Sequence, residues 1–371
     1  MPSYEERTYA AWLASAEVPY DTLIPLLYRM RSAKHVFEEF MKARGGIGLL
    51  TDICRDRLAE AADPEKLEFF QHSLSEHRIS MLTILDEAYP HCLRQIPDPP
   101  GILFYQGEVS CLKHPKKAAM IGSRAASYAG QKAARITAAE LSRNGVCIIS
   151  GLAYGIDAES HRGCLEGGSP TVAVMGCGLD QTYPVQNGPL KRDILLHGGL
   201  ILSEYAPGMK PVGRHFPYRN RIISGLSDTV ILMEARIRSG SMTTVGHALK
   251  QGKEVYAYPG DPVSPLYEAN RILLREGARY FSEAKDILSD MNWLDKSRYV
   301  GQNIVCSSKA VPGNDAEAAV YKALEKGGLG FDELAAATGL APSELLSTLT
   351  VLQIRQKIDL LPGKRYQIRN K

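Results

Sequence analysis

Long apolar runs are what this 371-residue chain has least of. Those it does have, such as Thr171 to Cys177, span well under the roughly 20 residues that a bilayer helix needs, so no membrane span is expected. A basic leader is also missing: Glu5 and Glu6 stand where a signal peptide would be positively charged, and export is not expected. The cysteines (Cys54, Cys92, Cys111, Cys147, Cys164, Cys177 and Cys306) are odd in number and scattered. With no C-x-x-C pair among them, neither a disulfide framework nor a zinc site is suggested. These absences fit a protein of the reducing cytoplasm.

What is present is an ordinary globular composition. The chain is 44% apolar and 23% charged, with 33 Gly and 21 Pro, which excludes wholesale disorder, collagen and coiled coil. Its length leaves room for a central domain of about 200 residues with small flanking ones, and no metal or disulfide is needed to fold it. Formal net charge is only +3: it runs −3 over residues 1–80, +3 over 81–290 and +3 over 291–371. The stretch Arg214 to Arg238 holds five arginines against two acids, a local basic excess that points toward an anionic partner.

Residues 1 to about 75 place Trp12, Leu13, Leu23, Leu26, Leu27, Val36, Phe37 and Phe40 at helical spacing, broken by Pro19, Pro25 and Gly45-Gly46. A small helical bundle over 1–78 follows, of a kind used for docking or dimerisation. A proline-rich segment, Ala88 through Gly101, leads into a first strand at 102–105. Apolar runs then recur at 118–122, 146–150, 171–176, 200–203, 229–233 and 254–258, each followed by a helical period. That alternation predicts an α/β domain over 79–290, a doubly wound, mostly parallel sheet buried on both faces. Residues 291–312 lack periodicity and read as a linker. Over 313–371, helices at 315–326, 331–338 and 342–354 precede two short strands at 357–361 and 365–368 flanking Pro362-Gly363-Lys364, the pattern of a winged helix that binds either DNA or protein.

In an open α/β sheet, ligands bind beyond the carboxyl ends of the strands. The residues there are Gly122-Ser123-Arg124, then Ser150-Gly151 through Gly155-Ile156-Asp157, then Gly176-Cys177-Gly178. They are followed by His215-Phe216-Pro217-Tyr218-Arg219-Asn220-Arg221 and by Arg236-Ile237-Arg238-Ser239-Gly240-Ser241. Small residues at helix starts leave backbone N–H groups for a phosphate. Several such loops with interleaved arginines and aromatics suit a phosphate backbone with stacked bases better than one mononucleotide. Taken singly, each has a plainer use. The glycines serve any α/β turn, Arg124, Arg219 and Arg221 suit ion pairs, Phe216 suits a core, and Asp157 suits a helix cap. No G-x-G-x-x-G follows the first strand and no Walker lysine occurs, which argues against NAD and ATP. No H-E-x-x-H or other metal spacing is present, so no cofactor and no metal is expected, and binding is favoured over catalysis.

These motifs, in order and spacing, resemble the DprA/Smf (DNA-processing protein A) family. The resemblance is carried by Gly122-Ser123-Arg124, Ser150 to Asp157, Phe216 to Ser227, Arg238 to Ser241 and Pro259-Gly260, with Ala88-Tyr89-Pro90 before them and Asn270 to Ala278 after. It covers about 80–290, and the flanking architecture is similar, with a SAM-like helical domain before and a winged helix after. The resemblance implies a bacterial cytoplasmic protein, not an enzyme, that binds and protects single-stranded DNA in natural transformation and helps load the RecA recombinase. It implies an extended Rossmann-like domain in which Ser123 and Arg124 hold a phosphate and Phe216 stacks on a base. Arg219, Asn220, Arg221, Arg238, Ser239 and Ser241 would line the pocket, with Gly122, Gly151, Gly155, Asp157 and Gly240 beside them. A homodimer joined near 279–290 is implied as well. Tyr154 stands where many members carry arginine. Two other readings are a phosphoribohydrolase-like enzyme on the same fold and a winged-helix transcription regulator. The first lacks support in the carboxylate-free stretch Gly240 to Gly252.

Overall fold

A computed structural model of the chain describes residues 4–43, 47–294, 315–325, 327–354, 357–361 and 365–368. The chain divides into two units, Met1–Asp295 and Lys296–Lys371. In the first, α1 (Tyr4–Ser15), α2 (Tyr20–Met30), α3 (Ala33–Lys42), α4 (Asp52–Ala61) and α5 (Pro64–Glu76) form the N-terminal bundle. Ser32, Thr51 and Asp63 cap α3, α4 and α5 by accepting backbone N–H bonds. Trp12 is fully buried at its centre, its indole N–H donating to Leu58 O at 2.9 Å and its ring edge-on to Phe37. Pro25 lies inside α2 instead of separating two segments, and Gly45-Gly46 fall outside the described residues.

Next come β1 (Ser80–Thr83), α6 (His91–Arg94), β2 (Ile102–Gly107), β3 (Lys117–Ile121), α7 (Tyr128–Arg143), β4 (Cys147–Ser150), α8 (Ile156–Gly167) and β5 (Thr171–Met175). They are followed by α9 (Gly188–Leu196), β6 (Leu200–Ser203), α10 (His215–Leu226), β7 (Thr229–Leu232), α11 (Ser241–Lys250), β8 (Glu254–Ala257), α12 (Glu268–Arg275), β9 (Arg279–Tyr280) and α13 (Ala284–Asp290). The nine strands form one sheet in the order β1-β2-β6-β5-β4-β3-β7-β8-β9. From β6 to β9 every pairing is parallel, and β1 and β2 add antiparallel strands at one edge. Strands β4, β5, β6 and β7 are buried at every position, as their continuous apolar runs require. The order reverses between β3 and β7, which places the topological switch point at their carboxyl ends.

The chain stays packed past residue 290. Met291 closes α13, and Trp293 is buried in the core cluster behind β3 and β7, so the expected linker begins later than 291 and its remainder lies outside the described residues. In the second unit, α14 (Asp315–Leu324), α15 (Phe331–Thr338) and α16 (Pro342–Ile354) stand with the sheet β10-β12-β11, built from Leu329–Gly330, Arg365–Ile368 and Ile358–Leu361. Val320, Leu324, Leu334, Leu345, Leu349, Leu352 and Ile358 form its core, the arrangement of a winged helix.

Candidate functional site

A cleft of about 580 Å³ opens at the switch point. The Gly122-Ser123-Arg124 loop after β3, Ala153 and Asp157 after β4, Tyr183 after β5, the start of α10 and the Ser239-Gly240-Ser241 turn into α11 line it. Gly155, Arg214 and Gly240, the residues at the starts of α8, α10 and α11, give no side-chain cap, unlike Ser127 on α7. The starts of α10 and α11 border the cleft with the positive ends of their dipoles, while their first N–H groups are engaged locally: His215 N–H donates to Val212 O at 2.9 Å, Ser241 N–H to Ser239 Oγ at 3.3 Å and Met242 N–H to Ser239 O at 3.0 Å. Beside Gly240, the Ser239 and Ser241 hydroxyls lie 2.6 Å apart.

Two loops lock together beneath the cleft. Gly155 has φ +70°, and a Cβ there would stand 2.3 Å from Ser123 O, so only glycine lets the β4 loop dock on the β3 loop. Ile156 N–H then donates to Ser123 O at 3.2 Å. Asp157 does not cap α8. Its carboxylate accepts from the Gly151 N–H at 3.1 Å and the Ala153 N–H at 3.4 Å, tying back the loop before the helix. Burial pushes its pKa up, opposed by the neighbouring Arg219.

Arg219 is 3% exposed at the cleft floor and donates to the backbone carbonyls of Gly151 and Val174. Burial lowers its pKa to about 10, so it stays a cation at neutral pH. Arg124 is exposed at the rim, its guanidinium carbon 5.2 Å from the centre of the Phe216 ring. Phe216 is half-buried: one side rests over Gly176, where a Cβ would stand 2.9 Å from the ring, and the Tyr183 ring lies 5.3 Å away.

Of the residues singled out from the sequence, Gly122, Ser123, Arg124, Asp157, Phe216, Arg219, Asn220, Ser239, Gly240 and Ser241 meet at the cleft. Gly151 lines a small recess beside it. Arg221 does not: it is fully buried on the other side of α10 in a two-pronged pair with Glu204, beside Asp98. Arg238 is exposed outside the lining, and Gly155 works from below. Tyr183 was not singled out. It sits further along the same β5 loop as Gly176-Cys177-Gly178, where reading the strand-end loop to its full length reaches it.

Sheet order and a cleft at the switch point, with an exposed arginine beside an aromatic ring, define a doubly wound α/β protein. The family model "DNA recombination-mediator protein A" matches residues 80–292, and "DprA winged helix domain" matches 307–364. The chain belongs to the DprA/Smf family of DNA processing proteins. It is 43% identical over 211 residues to DNA processing protein DprA of Streptococcus pneumoniae, covering 57% of this chain and 74% of the relative. With the Bacillus subtilis DprA it shares 35% over 250 residues, 66% of this chain and 84% of that one. The X-ray structure of the S. pneumoniae protein superposes with a TM-score of 0.66 at 33% identity, over 78% of this chain and 98% of that one. DNA processing protein A from Helicobacter pylori, a structure described for its single-stranded DNA binding mode, gives 0.53 at 30% identity, over 58% and 96%.

Proposed function

We propose that the cleft binds single-stranded DNA without reading its sequence, and that the protein protects incoming strands and assists RecA loading in transformation and recombination. The observation that carries this reading is the exposed Arg124 guanidinium beside the Phe216 ring at the mouth of a cleft edged by helix starts. An exposed cation beside the positive ends of two helix dipoles attracts phosphates, while a half-exposed ring takes an unpaired base at about 1–3 kcal/mol, which selects single strands over duplex. The family's recombination-mediator description supports the RecA step.

Binding rather than hydrolysis is favoured because the carboxylates near the cleft are engaged. Asp157 holds the β4 loop, and Glu234, fully buried, takes the Ser127 N–H at 2.9 Å and its hydroxyl. The proposal includes a cytoplasmic homodimer joined near 279–290, where β9 presents an exposed edge strand with Tyr280 59% exposed. Free cysteines and the lack, among the described residues, of any helix long and apolar enough to cross a membrane accord with that location. Fluorescence anisotropy with labelled polythymidine, competed by duplex and repeated across salt, tests the reading. Tight, salt-dependent binding that duplex does not displace supports it. Absent binding, or selective binding of a duplex operator, refutes it in favour of a small nucleotide ligand or a winged-helix regulator.

A further inference from the structure

Beside the main cleft lies a recess of about 50 Å³ that shares Arg124, Tyr183, Phe216 and Arg219 with it and adds Tyr154 and Pro184. Tyr154 is 40% exposed and Tyr183 41%, although both belong to well-packed loops. Neither ring is loose. The Tyr154 hydroxyl donates to the Gln186 side-chain carbonyl, and Tyr183 leans on Phe216. The buried Lys191 ammonium donates to Leu179 O at 2.7 Å and Gln181 O at 3.2 Å, holding the β5 loop that carries Tyr183. Two half-exposed, anchored aromatic rings thus stand with Phe216 and Arg124 around one recess, Tyr183 lining the main cleft as well.

We propose that Tyr154 and Tyr183 form a second base-stacking subsite, which takes the base of a nucleotide neighbouring the one stacked on Phe216. This inference rests on the single-strand reading above. A ring face accepts any base, and an anchored ring costs little entropy to present it. The contact is also uncharged. At Tyr154 the chain therefore gains affinity that salt does not screen, where an arginine would supply a phosphate contact that salt weakens.

The test compares wild type, Tyr154→Ala, Tyr154→Phe and Tyr154→Arg in anisotropy titrations with polythymidine across a salt series, with melting curves to establish folding. Loss of one stacked base predicts affinity about 5- to 150-fold weaker for Tyr154→Ala, with an unchanged slope of log affinity against log salt. Tyr154→Phe keeps the ring and stays near wild type, whereas Tyr154→Arg steepens the slope by about 0.7. Oligonucleotides carrying adjacent abasic residues lose less affinity against Tyr154→Ala than against wild type. Unchanged affinity in a folded Tyr154→Ala overturns the subsite while leaving the DNA reading intact. A Phe variant as weak as the Ala variant shows that the Gln186 bond, not the ring face, matters, and also overturns it. A wild type that binds no single strand refutes both readings together.

Discussion

Arg221→Ala is the substitution that separates a residue of the binding surface from a residue of the frame. The Arg221 side chain is 0% exposed, with Nη1 and Nη2 each 2.6 Å from the two Glu204 carboxylate oxygens. Its Nε lies 3.2 Å from the Asp98 carboxylate and donates to Asp98 O at 2.8 Å, and the guanidinium carbon sits 3.7 Å over the Tyr218 ring. Truncation leaves Glu204, whose side chain is only 12% exposed, without its counter-charge. Stranding one member of such a pair costs about 3–5 kcal/mol. At about 2–4 °C per kcal/mol for a unit of this size, the melting temperature falls by about 6–20 °C. A joint Arg221→Met and Glu204→Gln change, which removes both charges, recovers part of that loss. The assays are thermal unfolding and polythymidine titration well below the melting point, where affinity per folded molecule stays within about twofold of wild type. A variant that melts like wild type but loses single-strand affinity would refute the argument and return Arg221 to the DNA-contacting set.

Arg124→Ala is the converse. The packing contact of this exposed side chain is over the Phe216 ring, a surface cation–π contact worth about 0.5–1 kcal/mol, so melting shifts by only a few degrees, while single-strand affinity falls about 5- to 30-fold and the salt slope drops by about 0.7; an unaltered slope in the titration rules out a phosphate contact. Phe216→Ala weakens binding by about 1–3 kcal/mol and Phe216→Trp retains it, and equal loss in both would exclude stacking. His161 gives a pH signature. It is fully buried, and Thr171 passes its hydroxyl hydrogen to Ile148 O, so the 2.7 Å contact is Nδ1–H donating to Thr171 while Nε2 has no partner among the described residues. Burial pulls its pKa down to about 3, against about 6.5 in the unfolded chain. The unfolded state therefore takes up the proton first as pH falls. This residue's stabilising contribution is whole above pH 6.5 and fades by about 1.4 kcal/mol per pH unit between 6.5 and 3. Denaturant midpoints at pH 7 and 5 for wild type and His161→Gln check this, with a shallower pH dependence expected in the variant.

The six strands β3 to β8 were legible because a parallel sheet buried on both faces needs uninterrupted apolar runs, and the chain writes them plainly. The edges were not. Ser80-Met81-Leu82-Thr83 is too short and too mixed to signal a strand, and it becomes β1 only by pairing with β2. Arg279–Tyr280 is two exposed residues completing the ladder beside β8. Pro25 reads as a breaker because it lacks an N–H, yet α2 accommodates it while Leu23, Leu26 and Leu27 bury their side chains around it. In each case tertiary pairing or burial outweighs the local preference.

The error at Arg221 had a remedy in the sequence itself. Phe216 starts a helix, and at 100° per residue Arg219, Asn220 and Ile223 fall on its side at three, four and seven steps, as the cleft lining shows. Arg221 is five steps on, about 140° away, and must face elsewhere. A cation turned away from the cleft into the body of the domain needs a buried partner, and Glu204, immediately after β6, is the acid that the sheet delivers there. Reading Phe216 to Arg221 as one basic string treats a helix as though all its side chains met the ligand. The helical period divides it into a cleft-facing side holding Phe216 and Asn220, a floor cation in Arg219, and a strut in Arg221. Of the two arginines lining the cleft, Arg219 is buried against backbone carbonyls and only Arg124 is exposed, so the charge there is smaller than the arginine count suggests. That is why salt dependence, rather than affinity alone, discriminates between the roles assigned to these residues.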